Sequence, residues 1–288
     1  MDEFPLYGAV EGFALLTCSL PDADLERAWA WGAYDEGVRH AFFRTYEELR
    51  ELAAQLGAQR AGSPNPQTRA QRILAQYHAA YRDLQALLLG IGDEDAQRAP
   101  SEEDWPLRKV MRHIIRSERT FFAITAYALD RFRSGDERPM EMPDEAWEAF
   151  WAGDAFGQME ENEPLSGLLA YYDSLHLRVL GELASIGEDE LNAPSMFWEG
   201  APMPVQFRLH RFDSHLRQHS VQVEKTLDML GLTPNEARRL LRLVYAALAE
   251  AEGIQVGAPE LGAENCWLLS QGIQERGQEI QGIIGIRD

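Results

Sequence analysis

The segment His215-Leu216-Arg217-Gln218-His219 sets two imidazoles four residues apart, which on a helix places them on one face, one turn from each other. Phe212, His215, His219, Val223, Leu227 and Leu230 advance in steps of three and four, so the pair points where the core-facing leucines point. Neutral imidazoles buried there need polar partners. Each finds its own hydrogen bond, or both share a divalent ion, which an i, i+4 pair reaches with bonds of ~2.0–2.1 Å. The pair alone leaves both readings open.

A third histidine, His113, has Val110 at i−3, Ser117 at i+4 and Phe121 at i+8, a stripe that is also largely apolar. Three histidines converging from two such stripes make a facial triad with a coordination position left for water or substrate. An open three-histidine site lowers the pKa of water toward neutrality or takes up a thiol as thiolate. Among the other histidines, His40 and His78 have no partner at ligand spacing, and His210 is rotated off the helical face. His176 borders a core stripe and is the one reserve ligand, read first as a packed or rim residue. Glu118, five residues beyond His113, is the single weak candidate for a general base or for an acceptor behind a histidine, with a solvated helix carboxylate as the plainer reading. Other catalytic residues are unassigned: there is no Ser-His-Asp order, no Gly-rich phosphate loop and no paired carboxylates. Cys18 and Cys266 lie outside these segments, so thiol chemistry would have to use an external thiol.

The elements that carry these residues are helical, and the alternation expected of strands is almost absent. Asp22 and Asp24 follow Pro21 as cap candidates, and Leu25, Val38, Phe42, Tyr46, Leu49, Leu52 and Leu56 predict one long helix, or two broken near Gly32. Gly57 and the polar stretch 59–67 read as a linker. Four helices follow: A over about 68–89, B from Pro106 to about 133, C over about 164–186 and D over about 204–230, stopped by Gly231. The connection between B and C is long and acidic, without Lys or Arg from Pro139 to Leu177, and contains Trp147, Phe150 and Trp151. It reads as a solvated crossover with an apolar foot, or, more sharply, as a lid or partner surface. Thr233-Pro234-Asn235-Glu236 reads as a capping box, with helices to about 252 and over about 262–284. These last two and the N-terminal helix cannot bury their apolar faces alone, so the two chain ends are expected to meet in a second small bundle. The expected organisation is an N-terminal extension over 1–60, a bundle over 65–231 and C-terminal helices over 232–288.

The chain has 288 residues, 27 Lys+Arg against 47 Asp+Glu and a formal net charge of −20. That charge repels phosphate backbones, and the basic residues form no stripe, so nucleic acid is not expected as a partner. Two distant cysteines without a CxxC suggest a reducing compartment. The acidic start Met1-Asp2-Glu3 and the short apolar stretch 13–16 do not read as a secretory signal, and no segment reaches the ~18–20 apolar residues of a membrane span. A cytoplasmic protein with no membrane partner is the expectation.

Trp105-Pro106-Leu107-Arg108-Lys109-Val110-Met111-Arg112-His113-Ile114-Ile115 resembles the second-helix signature of the DinB-like (YfiT/DinB) four-helix-bundle superfamily, and His215 to His219 resembles that family's fourth-helix pair. The order, the separation and the long connection between helices two and three agree over about residues 68–230. The resemblance implies an all-α, DinB-like four-helix bundle to which the terminal helices add a flanking layer. It implies a divalent metal, zinc or nickel, held by His113, His215 and His219. It also implies a metal-dependent S-transferase using a low-molecular-weight thiol of the mycothiol or bacillithiol kind, or a hydrolase, acting on a small-molecule substrate. The alternative is a non-catalytic, metal-stabilised helical module that binds a partner. The terminal helices would then either cover the metal mouth or pair in a homodimer.

Overall fold

Apolar residues at three- and four-residue steps organise nearly every element, and the result is all-α. The computed structural model describes residues 6–159 and 163–285. In chain order the elements are α1 (Tyr7–Thr17), α2 (Asp22–Leu25), β1 (Ala28–Trp31), β2 (Tyr34–Gly37), α3 (Val38–Ala61), α4 (Arg69–Leu88), α5 (Asp93–Gln97), α6 (Leu107–Arg133), α7 (Asp144–Phe150), α8 (Phe156–Met159), α9 (Leu165–Leu183), a 3-10 turn (Glu190–Asn192), β3 (Pro194–Ser195), β4 (Met203–Pro204), α10 (Val205–Met229), α11 (Glu236–Gln255) and α12 (Ala263–Ile284). Helices A to D of the sequence reading are α4, α6, α9 and α10. The chain divides into two compact units, one formed by Thr68–Tyr77 and Gly92–Leu230, the other by the described residues of 1–67, His78–Ile91 and 231–288. α4 contributes to both.

In the second of these units α3 packs along α11 and α1 along α12. The stripe Val38, Ala41, Phe42, Leu49, Leu52, Leu56 meets Leu241, Val244, Tyr245 and Leu248, and Phe13 sets its ring edge-on to Phe42 at 5.1 Å. One buried charge cluster crosses this core. Glu252 accepts from Arg82 Nε at 2.8 Å and Nη2 at 2.9 Å, and His78 Nε2 lies 2.8 Å from the same carboxylate. Burial alone would raise the Glu252 pKa, but Arg82 and His78 hold it below the usual carboxylate value.

In this unit two sequence expectations need correcting and one helix was missed. Residues 22–56 are not one long helix: the chain breaks at Gly32 as the second alternative has it, but between the short α2 and the long α3 it forms the β1–β2 hairpin, which was not expected. Trp31 pairs with Tyr34 across the two-residue loop Gly32-Ala33, and Gly32, at φ 58°, supplies the positive dihedral that a tight hairpin of this kind requires. Trp29 anchors the hairpin, buried and donating its indole N–H to Glu279 at 2.9 Å. α1 escaped notice because Leu15 leaves a large apolar residue on its exposed side too, which blurs the periodicity. Thr233 does not cap α11: the cap is Asn235, whose side chain accepts from the Arg238 N–H at 2.9 Å and donates to the carbonyls of Cys18 and Leu20 at 3.1 Å.

In the unit that carries the histidines, α6 packs on α10 and α9, and Tyr77, near the middle of α4, closes the core against Phe212 of α10. The acidic crossover keeps an apolar foot: Trp151 and Phe156 are buried, and the ring of Phe122 on α6 meets Phe150 and Trp151 edge-on. Arg119 of α6 fastens it, its guanidinium 3.9 Å from the Trp151 ring centre and ion-paired with Asp154, which also accepts from the Tyr171 hydroxyl at 2.8 Å. The β3–β4 hairpin before α10 is held from beneath by Arg208, 1% exposed, which donates to Ser195 Oγ and to both oxygens of Glu199 at 2.6–2.9 Å.

Candidate metal centre

His113 sits in the second turn of α6, and His215 and His219 in the middle of α10. Because these helices pack together, one ring nitrogen from each histidine falls within 4.8 Å of the other two. His215 Nε2 is 3.3 Å from His113 Nε2 and 3.1 Å from His219 Nε2. His215 and His219 are 6% exposed, while His113 is partly open. Trp105 stands edge-on to His113 at 5.5 Å and Phe121 edge-on to His215 at 5.4 Å, so apolar rings flank the group.

Hydrogen bonding among the three rings satisfies them only in part, since one N–H on His215 Nε2 would have to serve both neighbouring nitrogens. His219 Nδ1 lies 2.8 Å from Gln222 Oε1, an oxygen that only accepts, so the proton of a neutral His219 is on Nδ1 and its Nε2 presents a lone pair. His215 Nδ1 is buried without a hydrogen-bond partner among the described residues. Burial, then the neighbouring His219, His113 and Arg211, push the His215 pKa down to about 3, and burial, His219 and Arg116 lower that of His113. Protonation is thus a poor way to relieve lone pairs aimed at one point. A shared cation relieves them directly. A tetrahedral ion with N bonds of ~2.0–2.1 Å holds its nitrogens roughly 3.3–3.4 Å apart. The two closest nitrogen pairs agree with that spacing to within a few tenths of an ångström. The donor set fits zinc and nickel alike.

Glu118 does not join them. The expected solvated carboxylate is instead fully buried, accepting from the Tyr172 hydroxyl at 2.5 Å and from Tyr77. Five residues on a helix turn the side chain ~140° away from His113, and Ile114 and Phe121, at i−4 and i+3, mark the face it shares. That signal was present in the sequence. Burial raises its pKa from 4.5 to about 8 against the pull of the two hydroxyls. His176, the reserve ligand, is buried against Tyr77 at 4.6 Å and is not one of the three grouped histidines. Gln222, which orients His219, was missed, although its i+3 spacing from that histidine made it findable.

A cavity of about 160 Å3 opens on His113, lined also by Trp105, Lys109, Arg112 and Arg116. A larger one of about 320 Å3 lies farther along α6, on Thr120 and Ile124, walled by Trp147 of the crossover and Trp198 of the β3–β4 loop.

Among the described residues no helix is long and apolar enough to cross a membrane. No curated protein and no solved structure matches the chain. A family model described as DinB superfamily matches residues 76–223, just over half the chain, and that span takes in both helix segments that bring the three histidines together. The chain belongs to the DinB superfamily.

Proposed function

We propose that the protein is a divalent-metal enzyme in which His113, His215 and His219 hold the ion, and that it transfers a low-molecular-weight thiol to an electrophile or hydrolyses a small substrate. The observation that carries this reading is the convergence of ring nitrogens at 3.1 and 3.3 Å beside a cavity walled by His113. A bound ion would supply a Lewis-acid centre able to bring the pKa of a thiol or water close to neutrality. The chain's own residues do the rest. Gln222 holds the His219 ring with its Nε2 lone pair toward the group. Burial keeps His215 neutral, hence ligating, well below neutral pH. Trp105 and Phe121 limit the water around the histidines. Glu118, engaged by two tyrosines, supplies no base here.

The cavity favours a reactive ion over a purely structural one, because a structural site is closed by protein ligands. Cobalt(II)-loaded, tag-free protein tests this. Adding bacillithiol or mycothiol should produce a thiolate charge-transfer band that His215→Ala/His219→Ala lacks, or, for the hydrolase form, the loaded protein should cleave an activated ester without thiol. Loaded protein that responds to neither contradicts an enzymatic role and leaves the ion a structural one.

A further inference from the structure

The acidic crossover between α6 and α9 walls one side of the cavity of about 320 Å3, and the β3–β4 loop walls the other, with Thr120 and Ile124 contributed by α6. All of it lies within the Gly92–Leu230 part of one unit. Three lining residues are aromatic, Trp147, Phe197 and Trp198, and Trp198 is 69% exposed. Its loop is nevertheless fixed, because the next residue, Glu199, accepts from both terminal nitrogens of the buried Arg208 at 2.6 and 2.9 Å. The polar lining is of one kind. Glu141 and Asp144 are exposed carboxylates without an ion pair or a side-chain hydrogen bond among the described residues. Thr120 spends its hydroxyl proton on the Arg116 carbonyl at 2.9 Å, which leaves it only lone pairs to offer. No Lys or Arg lines the cavity among the described residues, and the crossover carries none from Pro139 to Leu177.

We infer that this cavity binds an organic cation, an amine or quaternary ammonium group on an apolar body, with the charge against the indoles and beside Glu141 and Asp144. Aromatic faces attract a cation through the ring quadrupole, and two uncompensated carboxylates add a field of the same sign. Ile124 and two methionines supply the apolar contact that the body of the ligand needs. An anion meets repulsion here, and a neutral molecule gains the apolar contact alone. The volume stands at the lower end of the ~300–1,000 Å3 range of small-molecule pockets, so it fits a compact ligand. On α6, Thr120 and Ile124 lie at i+7 and i+11 from His113, and Thr120 is ~10 Å from it along the helix axis. The inference rests on the metal-enzyme reading only in making this ligand a substrate; the binding itself needs no ion.

Calorimetric titration of the full-length protein with benzyltrimethylammonium, set beside benzyl alcohol and phenylacetate as neutral and anionic counterparts, tests this. The ammonium should bind metal-free protein at least tenfold more tightly than either counterpart. Glu141→Gln/Asp144→Asn should weaken its binding at least tenfold and Trp198→Ala at least fivefold, all three positions being exposed and so open to substitution without loss of the fold. Glu102→Gln/Glu103→Gln, which removes the same charge from exposed positions before α6 begins, should change it less than twofold. An ammonium bound no more tightly than a counterpart, or weakened equally by Glu102→Gln/Glu103→Gln, overturns the inference. Protein that retains nickel but does not bind the ammonium also overturns it, while leaving the metal reading intact. Protein that retains no nickel yet binds the ammonium through these residues upholds the site and removes the metal reading.

Discussion

Glu118→Gln isolates the most unusual electrostatic feature of the fold. Glu118 is fully buried, its hydrogen-bond partners among the described residues are two tyrosine hydroxyls, and its pKa stands at about 8 in the folded chain against 4.5 for the free side chain. Between those values the unfolded chain gives up the proton while the folded chain keeps it. Stability from this group is therefore complete below pH 4.5 and drains away as pH rises to 8. At ~1.4 kcal/mol per pH unit, the interval corresponds to about 5 kcal/mol as an upper bound. Glutamine has the shape of the protonated acid, and its amide both accepts and donates, so both hydroxyls keep a partner. The variant should match wild type near pH 5 and become progressively more stable above it, by several kcal/mol at pH 8.5. Urea unfolding followed by circular dichroism from pH 5 to 9 reads this as a widening difference in unfolding free energy. A difference that is independent of pH, or that shrinks as pH rises, refutes the reasoning, because Glu118 would then titrate as an ordinary carboxylate.

Three further outcomes are expected. Gln222→Leu should weaken nickel affinity 10- to 100-fold by isothermal titration without changing helicity, since it frees the His219 ring while leaving all three ligands in place. Glu252→Ala should destabilise by roughly 3–5 kcal/mol in urea melts, because it strips the buried Arg82 guanidinium of its carboxylate. Asn235→Ala should cost about 1–2 kcal/mol, toward the upper end of cap losses, since the same side chain also holds the carbonyls of Cys18 and Leu20.

Much of the helical frame was legible in the sequence because helices B, C and D open at Pro106, Pro164 and Pro204, each preceding a stripe of period 3.6. The three histidines were legible for the same reason: each falls on a core-facing stripe where an unsatisfied imidazole is anomalous. What escaped depends on contacts distant in sequence. The hairpin over 28–37 forms because Trp29 finds Glu279, 250 residues away, and nothing in its own window outweighs the helical stripe that follows. The burial of Glu118 depends on Tyr77 and Tyr172, one from α4 and one from α9, although its apolar neighbours on α6 already pointed inward.

The central claim is that His113, His215 and His219 hold one divalent ion. Its most direct test is metal analysis by mass spectrometry of protein purified without a histidine tag, set beside His215→Ala/His219→Ala prepared identically. The account predicts close to one zinc or nickel per wild-type chain and almost none in the variant; equal metal content in the two would contradict it.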